Sequence, residues 1–204
     1  MAKKVVKKTR KSTSKKAKLP LKLVKYLHKT GVKHQILEHR TVYTALDVAA
    51  TMKKKMNEIA KSLLVQADKN YYLVLLPADY NLDFKKLKKA ISAKTGKTIK
   101  VVKIPAEKVM QTVLKIKAGA MSAFGKLHEL PVYVDKGLVK TKKAVFSSGS
   151  FNHSVEMAVK DFIKLENAVL GSFSIKKKVK IVAKPKKAVK KKVVRKKCGA
   201  RKKK

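Results

Sequence analysis

Apolar positions between residues 19 and 175 recur with two periods, and each period predicts a different kind of element. In residues 19–31, Leu23, Val24 and Leu27 fall on one side at helical spacing, and Gly31 supplies a stop. Residues 33–38 alternate as a short strand. Residues 44–52 read as a second helix, with Thr44 as N-cap and Asp47 three positions on in a capping-box arrangement. Residues 59–66 and 71–77 are apolar, β-prone runs joined by Ala67-Asp68-Lys69-Asn70, the pattern of a hairpin. Phe84, Leu87 and Ile91 then mark a helix over 83–94 that ends near Gly96, and a strand is expected over 98–104. Pro105 opens a helix reaching Val113. A Gly/Ser/Ala loop at 118–125 precedes strands at 131–135 and 144–148 and a hairpin into 154–157. A last helix covers 159–165 and a last strand 168–174. Helices and strands mix without strict βαβ alternation. The expected fold is therefore a single α+β domain, a mixed, largely antiparallel twisted sheet flanked by helices.

The charge changes this picture at both ends. Of 54 Lys and Arg, 9 lie in residues 1–18 and 17 in residues 176–204, and neither stretch holds any of the 12 acids. The middle, 19–175, keeps the other 28 cations and all the acids, a net +16 within a total of +42. Residues 1–18 and 176–204 are expected to be disordered basic tails, since they carry too little apolar surface to offset the entropy of ordering. A solvated polycation pairs with nucleic acid, an anionic membrane or an acidic protein. The tails lack an inserting apolar face, and no long apolar run is present, which disfavours a membrane. No secretory signal is expected, because no apolar segment follows the basic N-terminus. The single cysteine, Cys198, cannot close an internal disulfide, so a reducing cytoplasm is the natural setting.

Several chemistries are disfavoured by what the sequence does not contain. It has neither a phosphate-cradling glycine motif, nor a nucleophile elbow, nor paired cysteines, and His28, His34 and His39 lack the spacing of ligands on one helical face. No metal and no cofactor are expected. Three features remain. In Ile59-Ala60-Lys61-Ser62-Leu63-Leu64-Val65, strand alternation turns Lys61 the same way as three large aliphatics. That makes it either a strand-end lysine snorkelling to water or an ammonium at the rim of an apolar pocket. Gly119-Ala120-Met121-Ser122-Ala123-Phe124-Gly125 is dense enough in small residues to bring backbone N–H groups close to a ligand, or to be an ordinary surface turn. Ser147-Ser148-Gly149-Ser150-Phe151-Asn152-His153 is a small-residue turn ending in a histidine.

Taken in order, these pieces resemble the YbaK/prolyl-tRNA-synthetase-associated domain, a family of aminoacyl-tRNA deacylases, over residues 19–174. Glu38-His39 with Thr44-Ala45-Leu46-Asp47-Val48-Ala49 resembles its early histidine and helix opening. Ile59-Ala60-Lys61-Ser62-Leu63 resembles the strand that carries its signature lysine. Leu75-Leu76-Pro77 with Asn81-Leu82-Asp83 resembles the approach to its central helix. Gly119 to Gly125 resembles its glycine loop, with Ala123 in place of a proline. Pro131-Val132-Tyr133-Val134-Asp135 resembles the next strand, and Ser148-Gly149-Ser150 through His153 its late glycine turn. The resemblance implies hydrolysis of the ester between an amino acid and the terminal ribose of tRNA, acting on a mischarged tRNA with a small residue of the Ala, Cys or Ser class, tRNA for proline among the carriers. It implies Lys61 as the catalytic residue, and Gly119, Ala120, Met121, Ser122, Gly125, Gly149, His153 and His39 as substrate-binding positions. Partners in this reading are the aminoacylated acceptor end of tRNA, other RNA or DNA through the tails, and an aminoacyl-tRNA synthetase. The alternative is a nucleoid- or ribosome-associated basic protein with a degenerate editing domain.

Overall fold

In a computed structural model of the chain, the described residues are 19–114 and 121–177. Helix α1 (Leu21–Thr30) buries Leu23 and Leu27 and ends at Gly31, whose φ of 63° permits the left-handed cap. Strand β1 (His34–Glu38) follows, then α2 (Ala45–Met52). The capping box at α2 is present: the Asp47 N–H donates to Thr44 Oγ1 at 3.2 Å, and the Thr44 N–H donates to Asp47 Oδ2 at 3.1 Å.

The hairpin of β2 (Ala60–Ala67) and β3 (Asn70–Pro77) runs in unbroken register from Ala60↔Pro77 to Ala67↔Asn70. Asp68 in its turn has φ 52° and accepts the backbone N–H groups of Lys100 and Val101 at 3.1 and 2.8 Å. Those bonds occupy donors that a longer strand would have used. The strand expected over 98–104 is accordingly only β5 (Val102–Lys103).

Beyond the short β4 (Tyr80–Leu82), α3 (Phe84–Thr95) is capped by Asp83, which accepts from Lys85 and Lys86. Leu87 and Ile91 are buried, whereas Phe84, read as part of the same face, is 39 % exposed. The remaining elements are α4 (Glu107–Leu114), β6 (Val132–Asp135), α5 (Lys136–Val139), β7 (Lys143–Ser147), β8 (His153–Ala158), α6 (Val159–Glu166), β9 (Val169–Gly171) and β10 (Ser174–Lys176). The stretch 168–174, expected as one strand, is therefore parts of two. Phe173 is fully buried and sends its N–H to Asp135 Oδ2 at 2.8 Å, so the chain turns there and continues as β10 past residue 175.

Strand pairing is mixed and mostly antiparallel, in sheets ordered β5-β2-β3-β6-β9, β1-β8-β7 and β10-β4. Parallel contacts join β3 to β6 and β6 to β9. Alternation gives the five-stranded sheet two faces. Leu63, Val65, Tyr72, Val74 and Leu76 pack with Leu87 and Ile91 of α3. Ala60, Leu64, Leu73 and Leu75 pack with Leu23 and Leu27 of α1, Phe162 of α6, and Phe146 and Val155 of the three-stranded sheet. Full burial of each such aliphatic or aromatic side chain stabilises by about 1.5–3 kcal/mol. One polar knot lies in this layer. Glu166 accepts the Tyr26 hydroxyl at 2.9 Å and the Lys126 N–H at 2.9 Å, tying α6 to α1 and to the turn at 125–128.

Candidate active site

The site grows from the start of β2. The Ala78 N–H donates to the Ile59 carbonyl at 3.0 Å, so odd-numbered residues of β2 turn their backbone groups toward β3. Even-numbered residues face the other edge, which β5 covers, among the described residues, only at Gln66 and Ala67. Among the described residues, Ser62 and Leu64 therefore keep backbone donors and acceptors that no strand pairs, whereas the edge at Ile59 is met by Val145 of β7 in a parallel bridge. Ala60, Ser62 and Leu64 line a cavity of about 480 Å³ between β2, the three-stranded sheet and α2. That is within the roughly 300–1,000 Å³ of small-molecule sites.

Polar groups are few on this wall. Lys61 reaches it from the β2 position opposite Leu76, half-buried. Burial, and then the ammonium of Lys177, hold the Lys61 ammonium below the usual lysine range. Lys177 lines the same cavity and donates Nζ to the Ala78 carbonyl at 2.9 Å. No Asp or Glu is among the described lining residues. Ser62 Oγ is buried with no hydrogen-bond partner among the described residues, a donor that a polar ligand would satisfy.

His39 and Ser154 form the other polar pair. The His39 N–H donates to the Asn152 carbonyl at 2.9 Å, which fixes the backbone beside β8. His39 Nδ1 lies 2.8 Å from the Arg40 carbonyl, an acceptor only, so in the neutral ring Nδ1 carries the proton. Nε2 is left to accept from Ser154 Oγ, 3.0 Å away and buried. The mouth is apolar: the Tyr43 ring, 70 % exposed, lies 5.2 Å from Phe151. The arrangement combines cationic and backbone binding groups, an imidazole–hydroxyl pair and an aromatic rim. Among the described residues there is no cluster of His, Cys, Asp or Glu able to hold a metal ion.

The sequence model of the aminoacyl-tRNA editing domain matches residues 39–165, more than half of the chain. The chain belongs to the aminoacyl-tRNA editing domain family. Solved structures share the editing-domain fold. A hypothetical protein, APE2540, superposes with a TM-score of 0.66 at 20 % identity, over 76 % of this chain and 99 % of its own. A proposed trans-editing enzyme for prolyl tRNA synthetase gives 0.63 at 19 % identity, over 76 % and 96 %. No curated protein sequence matches the chain.

Within this editing domain the residues singled out from sequence fall in several places. Lys61, Met121 and His39 line the cavity. Gly119 and Ala120 lie outside the described residues. Ser122 is buried, and its Oγ accepts the Phe124 N–H at 3.2 Å rather than facing the cavity. Gly125 is a packing position: a Cβ there would sit 2.3 Å from Val132 Cγ2 and 2.5 Å from the Leu130 carbonyl oxygen. Gly149 has φ 85° and makes the turn between β7 and β8. The His153 ring is 3.4 Å from Ser150 Oγ and is not part of the cavity wall, because alternation along β8 turns the next residue, Ser154, inward instead.

Sequence reasoning missed Ser154, Ser62, Tyr43 and Lys177. Ser154 was within reach of the period-2 pattern once His153 had been noticed. Lys177 carried no signal, being one lysine in a lysine-rich run.

Among the described residues no helix is long and apolar enough to cross a membrane.

Proposed function

We propose that the chain is a trans-acting, cytoplasmic editing deacylase that hydrolyses the ester of a tRNA mischarged with a small amino acid of the Ala, Cys or Ser class, tRNA for proline being the first carrier to test. The observation that carries this reading is the half-buried Lys61 ammonium on the wall of a cavity with no Asp or Glu among its described lining residues, beside β2 backbone groups at Ser62 and Leu64 that no described strand pairs. An ammonium in that setting stabilises an anionic phosphate or a developing oxyanion more than it would in water. Backbone N–H groups along the edge, with Ser62 Oγ, would orient the ester carbonyl. Tyr43 and Phe151 offer ring faces to the terminal adenine, the usual way an unpaired base is held. The His39–Ser154 pair would hold the attacking water or ribose hydroxyl. Catalysis then rests on positioning and fixed dipoles, with no protein nucleophile.

The cations of residues 1–18 and 178–204 would add sequence-blind, salt-sensitive affinity for the tRNA body and for other RNA or DNA. Tails that supply this affinity would take over the tRNA-recruiting role that a synthetase partner otherwise fills. The test is deacylation of a panel of mischarged tRNAs, alanyl, seryl and cysteinyl tRNA for proline included, with Lys61→Ala beside wild type. Rapid loss of one species that disappears in the variant is expected. Binding of tRNA and DNA without turnover of any species would favour a nucleic-acid-binding protein with a retired site.

A further inference from the structure

Lys177 lies outside the span that the family model matches, yet its side chain lines the same cavity as Lys61. Its placement there is enforced from both ends of β10. At the start, Asp135 accepts the Phe173 N–H at 2.8 Å and the Ser174 hydroxyl at 2.8 Å, clipping the strand to the end of β6. Along the strand, Ser174, Ile175 and Lys176 pair with Leu82, Asn81 and Tyr80 of β4. At the far end, the Lys177 N–H donates to the Asp79 carbonyl at 2.9 Å, continuing the register, and its Nζ donates to Ala78. Lys176, one residue earlier, is exposed and takes no part in the wall.

Two lysine ammonium groups thus share a cavity with no carboxylate among its described lining. Lys177 disfavours the charge of Lys61, adding to the effect of burial there. Such a pair is stable in place only when a multiply accepting anion sits between the two cations or when both keep access to water. A phosphate group, with several anionic oxygens on one centre, both accepts from two ammonium groups and balances their charge, whereas a neutral ester carbonyl can accept from them but balances no charge. We propose that Lys177 and Lys61 together form a two-ammonium seat for the phosphate of a nucleotide, with Lys177 as a binding residue that sets substrate affinity. The proposal rests on the deacylase reading for its biological ligand, the phosphate preceding the terminal ribose, but the seat itself is testable without turnover.

The full-length chain is titrated with 5′-AMP and with adenosine by calorimetry, for wild type, Lys177→Gln, Lys177→Arg and Lys176→Gln. Lys176→Gln removes the same charge one residue away and so reports the generic effect of the basic chain. The expected result is a preference of wild type for AMP over adenosine that falls roughly tenfold in Lys177→Gln, the loss of one charge-assisted hydrogen bond. Lys176→Gln and Lys177→Arg should keep the preference. Equal behaviour of Lys177→Gln and Lys176→Gln would overturn the seat, whether or not any tRNA is deacylated. Should a mischarged tRNA be turned over, Lys177→Gln should raise KM with little change in kcat. It should also flatten the log–log salt dependence by about 0.7, one single-strand phosphate contact. Retained AMP preference with no turnover of the whole panel would instead remove the deacylase reading and leave the seat standing.

Discussion

His39 Nε2 and Ser154 Oγ lie 3.0 Å apart, and the ring is held by the Arg40 carbonyl so that only Nε2 can accept the hydroxyl proton. This is the spacing of a nucleophile and its base, but the Ser154 side chain is buried in β8, and the orienting group behind the ring is a carbonyl rather than a carboxylate. Ser154→Ala should lower kcat/KM about tenfold, the worth of one positioning hydrogen bond. Acid quench of the wild-type reaction should trap no acylated enzyme. An aminoacyl adduct on Ser154, seen by mass spectrometry, would reassign the pair to covalent catalysis.

Lys61 offers a separation of activity from stability. Its folded-state pKa lies below the ordinary 10.5, first through burial and then through Lys177. Between the folded and unfolded values the unfolded chain binds more protons, so wild-type stability rises with pH across that window and is lower beneath it. Lys61→Met should remove this climb and raise the melting temperature at pH 7, while deacylation falls by about 100-fold or more. A variant that melts lower than wild type would contradict the desolvation argument.

Glu166 behaves in the opposite sense. Burial raises its carboxyl above the usual 4.5 against the lowering effect of Lys126 and Tyr26. The folded chain holds the extra proton, so stability falls as pH rises from about 4.5 through the raised value. Glu166→Gln can still accept from Lys126 and donate to Tyr26, and it should flatten that decline. Glu166→Ala removes the acceptor of the Lys126 N–H and leaves the Tyr26 hydroxyl only the longer 3.4 Å contact with the Leu165 carbonyl, and should cost about 1 kcal/mol or more in urea unfolding at pH 7. Equal losses for the two substitutions would discount the hydrogen bonds.

Gly125→Ala should be destabilising, because the added methyl group meets the backbone oxygen of Leu130 as well as the Val132 side chain. The backbone oxygen cannot rotate aside, so a cost of about 1–3 kcal/mol is expected. Thermal unfolding measures it. KM for a substrate that remains bound should change little, since Gly125 packs behind the cavity wall.

Removing residues 1–18 and 178–204 should weaken tRNA binding and flatten its salt dependence while leaving kcat at saturating tRNA. Filter binding at several salt concentrations reads both. An unchanged slope would assign the electrostatic affinity to the domain itself.

Much of the fold could be read from the chain because its signals were local. Thr44 with Asp47, Gly31, Gly96 and the Asp68-Lys69 turn each act within a few residues, and the hairpin formed in the register that its apolar runs allow. What escaped depended on distant partners. The break at Phe173 exists because Asp135, far back in sequence, takes its N–H, and the strand at 98–104 is short because Asp68 captures two of its donors. The parallel contacts of β6 with β3 and β9 have no local mark at all. In the site, Lys61 stood out as a cation among aliphatics, whereas Lys177 was hidden by its own kind and became distinct only through the backbone of Asp79 and Ala78.

The pairing of β10 with β4 has a kinetic consequence. It fixes the point from which residues 178–204 depart, so a polyanion held non-covalently by their 15 cations is tethered, through the chain itself, to the cavity wall at Lys177. Its next encounter with the cavity is intramolecular, at an effective concentration that falls with tether length, up to the millimolar range for short flexible tethers. Moving the same basic segment to the N-terminus would conserve charge and composition yet change that local concentration. The position of the tail, as well as its charge, then becomes a determinant of how often an acceptor end samples the pocket.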